Sequence, residues 1–361
     1  MIQDNAAQDA ATPGHGLAAG APTATEVAAL HAPVLRDRCV ELLAPALAEP
    51  GAVAIDGTLG MGGHSEAILE ACPNARVVGI DRDPRALELA SARLARFGDR
   101  FTGVLTTYDA VAQVAAKHGR DGRVQAILLD LGVSSLQLDD AERGFSYAQD
   151  AELDMRMGVT GPSAADLLAS ASESELRRII SVYGEERFAG AIAREIVRRR
   201  EVNPVRRTGE LADLVRDCIP APARRTGGNP AKRTFQALRI AVNDELRILE
   251  RTLPAAIGAL SVGGRIAVES YHSLEDRMVK QAFAAGATSS APPGLPVVLP
   301  EHAPYLRLLT RGAEVADAAE LARNPRSASV RLRAAELLRP APKSSSRPAP
   351  AVSTTPRHRR K

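Results

Sequence analysis

Asp56-Gly57-Thr58-Leu59-Gly60-Met61-Gly62-Gly63-His64 is the stretch whose reading decides the fold. A short apolar run at 52–56 enters it and a helical pattern at 65–71 leaves it, so the glycines fall at a strand-to-helix turn. Small residues there let the backbone approach a ligand closely and leave helix N–H groups pointing at it. Such a turn also serves simply to reverse the chain, so its context has to decide. Working outward, further Val- and Ile-rich runs at 76–80, 100–105, 126–130 and 264–269 read as strands, with helical patterns such as 83–94 between the first four. Strands alternating with helices predict an α/β fold with a parallel sheet covered by helices.

The acid pattern sharpens the site. The second strand ends Gly79-Ile80-Asp81-Arg82-Asp83-Pro84, about twenty residues after the glycines, where a carboxylate accepts hydrogen bonds from ribose hydroxyls. Asp83 before Pro84 has the signature of a helix N-cap, which leaves the ribose to Asp81. This serves NAD and S-adenosylmethionine equally well, so an adenosine ligand follows without its identity. The fourth strand ends Leu128-Leu129-Asp130-Leu131-Gly132 and the fifth ends Glu269-Ser270-Tyr271-His272. Both polar clusters belong at the carboxyl-end rim, over the ligand crevice.

Strands four and five are separated by more than 130 residues, far beyond an ordinary connection. Helical patterns at 163–170, 174–182, 188–199, 208–218 and 234–252 fill the interval. The expected organisation is an extension at 1–28 without order, a first sheet half at 29–138, an inserted helical substrate domain at 139–245, a second sheet half at 246–338 and a disordered basic tail at 339–361. Strand patterns at 305–311 and 328–334 complete the second half.

Composition sets bounds. The chain has 361 residues, 45% hydrophobic and 25% charged, enough for a full core without disulfide or metal staples. Cys39, Cys72 and Cys218 are scattered and odd in number, which excludes a disulfide framework and fits a reducing compartment. No apolar run reaches the roughly 18 residues of a membrane span, and the N-terminus carries no signal-peptide pattern. A cytoplasmic protein without membrane contact is expected. No cluster of ligands suggests a catalytic metal. The net charge of +3 hides two basic concentrations, one at 337–361 and one from Arg198 to Arg239. They suggest a polyanionic partner, because neutralised phosphates release counterions.

At this point the residues closely resemble the bacterial 16S ribosomal RNA cytosine-N4 methyltransferases, the MraW or RsmH family. The matching segments include His31-Ala-Pro-Val34, Asp56 to Ser65, Ile80-Asp-Arg-Asp-Pro84 and Leu128 to Ser135. Gln137 to Ser146, Leu153-Asp-Met-Arg-Met157 and Tyr183-Gly-Glu-Glu-Arg-Phe188 follow, then Arg233-Thr-Phe-Gln-Ala237, His272 to Arg277 and Asn324-Pro-Arg326. They occur in family order over about 31 to 336. The resemblance implies a Rossmann-like class I methyltransferase sheet with an inserted helical domain. It also implies S-adenosyl-L-methionine as cofactor and a cytidine in the decoding region of 16S rRNA as target, met within the small ribosomal subunit. It places the cofactor at Gly62, Gly63, His64, Asp81, Tyr108, Asp130 and Gln137. Three positions depart from the family pattern: Leu136 replaces a common Pro, Ala328 a second Arg, and Glu269 a small or apolar residue.

Methyl transfer to cytosine N4 requires an amine held in line with the donor and hydrogen-bond acceptors that localise its lone pair. The Asp130 carboxylate, or the Leu131 and Gly132 carbonyls, can accept. Asp130-Leu-Gly-Val stands where DNA amino-methyltransferases carry Asp/Asn/Ser-Pro-Pro-Tyr, so the aromatic clamp has to come from Tyr271 or Phe145, with Tyr271 preferred. His272 and Glu275 are candidates to position the base or take the proton. For RNA phosphates the candidates are Arg224, Arg225, Lys232 and Arg233, with Arg198, Arg199, Arg200, Arg206 and Arg207 behind them. An NAD-dependent dehydrogenase, with His272 as proton donor, and a non-catalytic rRNA-binding scaffold are the alternatives. The oligomeric state, a homodimer included, stays open.

Overall fold

The computed structural model describes residues 33–147, 149–224, 228–292 and 299–342. The N-terminal extension, His31, Arg225 and the tail beyond 342 lie outside the described residues.

Seven strands form one sheet in the order β3-β2-β1-β4-β5-β7-β6. β1 (Val53–Asp56), β2 (Arg76–Asp81), β3 (Phe101–Leu105), β4 (Val124–Asp130) and β5 (Leu260–Ser270) run parallel. β7 (Arg331–Leu337) is antiparallel to β5, and β6 (Leu306–Leu308) pairs with β7. This is the Rossmann-like sheet that the resemblance implies, its last two strands added antiparallel at one edge. β1 is buried at all four positions, as a parallel strand covered on both faces must be. The direction of strand order reverses between β1 and β4, so their carboxyl ends open the crevice where ligands bind in such sheets.

The pleat sends alternate residues to two cores. Val53, Ile55, Ile127 and Leu129 pack with the helices Val111–His118, Glu245–Ala259 and Ser273–Ala287. Ala54, Val77, Ala126 and Leu128 face the helices Arg36–Leu43, Gly63–Ala71 and Pro84–Leu94. A third core holds Leu153, Met155, Leu176, Ile180, Ile192, Leu211 and Leu238. It is built by the helices Ala164–Ser170, Glu173–Gly184, Ala189–Arg200, Thr208–Cys218 and Lys232–Asn243. Each large side chain buried in these cores contributes roughly 2 kcal/mol.

Three local readings shift. The pattern at 234–252 is two helices, Lys232–Asn243 and Glu245–Ala259, because Asp244 adopts a left-handed conformation at φ 53°. Asp tolerates that region, and Asn243 fixes the corner by accepting from Met157 N at 2.8 Å and donating to Met155 O at 2.7 Å. One helix therefore faces the helical body and the next covers the sheet. The last strand begins at Arg331 rather than 328, since Asn324 caps a 3-10 turn, Pro325–Ser329, through Arg326 N. The pattern at 305–311 contracts to Leu306–Leu308. Arg339 is anchored through its guanidinium to the carbonyls of Glu301, Ala303 and Pro304, so the stretch read as tail begins with a residue held to the sheet half.

Candidate active site

A cavity of about 650 Å³ opens at the carboxyl ends of β1, β2 and β4, between the sheet and the helix Lys232–Asn243. Its size is that of a small-molecule pocket. The Gly-rich turn forms one wall. Gly60 N donates to Asp81 Oδ2 at 2.8 Å, and Asp83 N donates to Asp81 Oδ1 at 2.8 Å. Asp81 thus ties the turn to β2 while its carboxyl lines the cavity. Burial pushes that carboxyl up to about 6 against the pull of the two N–H groups. Asp83 is the helix cap, accepting from Arg85 N at 3.0 Å and pairing with Arg143 at 2.6 Å.

The two glycines play different parts. Gly63 lines the cavity, and a Cβ there would lie 2.4 Å from Pro33 Cγ. Gly62, at φ 78°, faces away: its Cβ would meet Leu94 Cδ1 at 3.1 Å and Ala90 Cβ at 3.2 Å. It serves the turn and the packing of the helix Pro84–Leu94, not the cavity wall. His64 lines the cavity but gives its Nε2 to Val34 O at 3.0 Å. Burial pushes its ring below the usual imidazole range, so it is neutral. Tyr108 lies half-buried on the same wall, its hydroxyl pushed up by the desolvation around it.

β4 delivers Asp130. Its backbone N–H donates to Thr58 Oγ1 at 2.6 Å, and its Oδ1 accepts the Tyr271 hydroxyl at 2.8 Å. Burial raises the Asp130 carboxyl to about 6, and the Tyr271 bond works against that rise. The Tyr271 ring lies over Gly132, where a Cβ would be 3.7 Å from Tyr271 Cδ2. Tyr271, expected as a clamp on the base, therefore spends its hydroxyl on Asp130. His272 caps the helix Ser273–Ala287: Glu275 N donates to its Nδ1 at 3.4 Å, while Glu275 Oε2 accepts from Tyr271 N at 2.9 Å and His272 N at 3.3 Å. Burial pushes the Glu275 carboxyl up, but His272 and Arg239 outweigh it and hold it below the usual range. Gln137 closes another capping box, accepting from Ser134 N at 3.0 Å. Its amide is engaged within the protein although it borders the cavity. Phe145 borders the cavity from the third core.

The opposite rim is basic. Lys232 and Arg239 come from the helix Lys232–Asn243, and Arg323 and Arg326 from the segment before β7. Arg239 is spent on Glu245, with both contacts at 2.9 Å. Arg233 points instead to Glu185 O at 3.1 Å, and Arg224 to Ile219 O at 2.6 Å. Of the expected RNA contacts among the described residues, Lys232 alone reaches the cavity. Arg323 and Arg326 were missed as site residues, although Asn324-Pro-Arg326 stands out in the sequence.

Two groups gather side chains of the kinds metals use, Cys39–His64–Glu269 and Glu245–His272–Glu275, each with ligand atoms within 4.8 Å. In the first, burial keeps the Cys39 thiol protonated and His64 Nε2 serves Val34. In the second, Glu245 serves Arg239 and Glu275 serves backbone N–H groups.

Known proteins fix the family. The profile of the MraW methylase family matches residues 28–338. The chain belongs to the MraW methylase family. Ribosomal RNA small subunit methyltransferase H of Beutenbergia cavernae is 68% identical over 326 residues, covering 90% of this chain and 97% of the relative. The protein of the same name from a Nocardioides species is 61% identical, covering 85% and 96%. Among solved structures, a rRNA methylase from Streptococcus thermophilus aligns over 89% of this chain and 100% of its own at 10% identity, with a TM-score of 0.38. The dehydrogenase reading falls with the family assignment. S-adenosyl-L-methionine is the cofactor of this MraW methylase, and the cavity fits it: the half-buried Asp81 carboxyl lines it beside the Gly60–Gly63 turn, whose positive φ at Gly60 and Gly62 brings bare backbone to the wall. Among the described residues no helix is long and apolar enough to cross a membrane.

Proposed function

We propose that this methylase transfers a methyl group to the exocyclic N4 of one cytidine in the decoding region of 16S rRNA, acting in the cytoplasm on the small ribosomal subunit. The observation that carries the reading is the Asp130 carboxylate held by the Tyr271 hydroxyl at 2.8 Å over the switch-point cavity. Bound S-adenosyl-L-methionine supplies an electrophilic methyl group. Asp81 holds the ribose, with Gly63 and Tyr108 beside it. Asp130 accepts a hydrogen bond from the amine, localises its lone pair and takes the proton it loses. The Leu131 and Gly132 carbonyls add acceptors at the same strand end. Phe145 and the Tyr271 ring confine the flipped base from two sides. Lys232, with Arg323 and Arg326 across the rim, meets RNA phosphates, and Arg224 and Arg233 join them only by leaving the carbonyls of Ile219 and Glu185.

The test uses labelled methyl donor and small subunits from a strain lacking the protein, followed by mapping of the modified nucleotide. Label on N4 of a single decoding-region cytidine is expected. Cofactor binding without label on subunits or free rRNA would leave the rRNA-binding scaffold instead. Asp130→Asn is expected to cut turnover by about 10²-fold or more, the usual loss of a general base, with cofactor affinity within about threefold of wild type.

A further inference from the structure

One deeply buried acid beside the cavity, Glu269, takes no part in the methyl-transfer scheme. Glu269 is completely buried, and its carboxyl oxygens have no backbone, hydroxyl or amide donor among the described residues, the weakly donating Cys39 thiol and the His64 ring lying against them instead. It sits on β5 in register with Asp130 on β4. One imidazole spans the two: His64 Nε2 lies 3.5 Å from Glu269 Oε2, and His64 Nδ1 lies 3.8 Å from Asp130 Oδ2.

We infer that Glu269 and Asp130 share one proton, carried by Glu269 in the resting enzyme, and that this acid, donating to Asp130, keeps Asp130 charged and ready for the proton released by the amine. This rests on the methyl-transfer reading above and names a positioning residue for it. Two adjacent buried carboxylates cannot both ionise unless a cation balances them. The groups facing the pair supply none. Cys39 on the helix Arg36–Leu43 is a buried thiol, His64 is neutral, and Asp56 on β1 is another acid. Glu275 and Glu320, on the helices either side, are acids as well, and β7 offers Leu332 in register. Arg36 lies near His64 at the surface, and Arg333 is held by Asp276 at 2.8 Å. Burial drives the Glu269 carboxyl far up, and Asp130 rises less because Tyr271 stabilises its charged form. The asymmetry places the proton on Glu269 and the charge on Asp130.

The proton balance closes. The amine loses one N–H bond as its new N–C bond replaces the methyl donor's S–C bond, whose electron pair stays with the leaving thioether, and an O–H bond forms at Asp130. The pair then holds two protons and no charge, and the second leaves from Asp130 through the cavity before the next turnover.

Infrared difference spectroscopy on the whole protein at pH 7 reads the resting state directly. A protonated-carboxyl band should be present in wild type, absent in Glu269→Gln and retained in Asp130→Asn. Absence of the band from wild type, or its persistence in Glu269→Gln, would overturn the assignment, as would a stoichiometric bound metal, because Glu269 would then be an anionic ligand. The second arm is the pH profile of single-turnover methyl transfer. Replacing Glu269 by Leu, which removes the donor, should move its acid limb up by about one pH unit or more, because Asp130 loses a hydrogen bond to its charged form. An unmoved limb would reject the tuning role. Failure of the methyl-transfer reading would appear differently, as no transfer by wild type at any pH with the infrared bands unchanged.

Discussion

A hydroxyl that donates to a buried carboxylate favours its charged form, so its removal raises the proton affinity of the acid. Tyr271 does this to Asp130. Tyr271→Phe is therefore expected to move the acid limb of single-turnover methyl transfer up from about pH 6, in the same direction as loss of the Glu269 donor. A hydrogen bond to a charged group contributes about 1.5–3 kcal/mol, so the shift should be about one unit or more. Transfer at pH 6 should fall roughly fivefold while recovering toward wild type at high pH. A loss of equal size at every pH would instead mean that the hydroxyl only orients the carboxylate. Asp81→Asn carries the second prediction at this scale. It should weaken cofactor binding about tenfold to a hundredfold, read by calorimetry at pH 7.5, because a charged acceptor is lost. Wild-type affinity should fall as pH drops through about 6, where Asp81 takes up its proton, and unchanged affinity in the variant would remove Asp81 from the ribose. The Asp83 cap was legible because an Asp-Pro pair marks a helix start. The pairing of Tyr271 with Asp130 was not, since 141 positions separate them and only the sheet brings them together.

Between the elements, the Glu173–Gly184 and Lys232–Asn243 helices meet closely enough that a Cβ on Gly184 would lie 2.6 Å from Arg233 O. That contact is backbone and cannot swing aside. Gly184→Ala should destabilise the helical body by about 1–3 kcal/mol through overpacking. It should also displace Lys232 and Gln236 from the cavity. Urea unfolding checks the first effect, and a weakened RNA affinity with intact cofactor affinity checks the second. A variant as stable as wild type would mean the helices move apart freely. Helix existence was legible here from apolar spacing, but the break at Asp244 was not. Periodicity runs through it unbroken, and a single left-handed residue, fixed by Asn243 reaching Met155 and Met157, redirects the chain. For the same reason the site appeared in the sequence as strand ends and glycines, while its far wall was invisible until two helices replaced one.

Taken whole, the molecule places acids behind the cavity and cations on its rim. Asp56, Asp81, Asp130 and Glu269 lie at the carboxyl ends of the strands, whereas Lys232 and Arg323 approach from the helical body and from the segment before β7. The basic concentration was legible as a count, but its geometry was not: Arg224 and Arg233 turn to nearby carbonyls and only Lys232 of that group reaches the cavity. If the rim draws in RNA, affinity must fall with salt, because each neutralised phosphate releases counterions. For single-stranded RNA the logarithmic slope changes by about 0.7 per phosphate contact, so a Lys232→Ala/Arg323→Ala variant should flatten it by roughly 1.4. Arg307, exposed at the sheet edge and paired with Glu336 at 2.8 Å, is the control whose replacement should leave the slope unchanged. Titrating a decoding-region RNA fragment across salt concentrations measures all three proteins. A double variant with the wild-type slope would move the phosphate track off this rim, and the cations there would then serve only to hold the two bodies around the cavity.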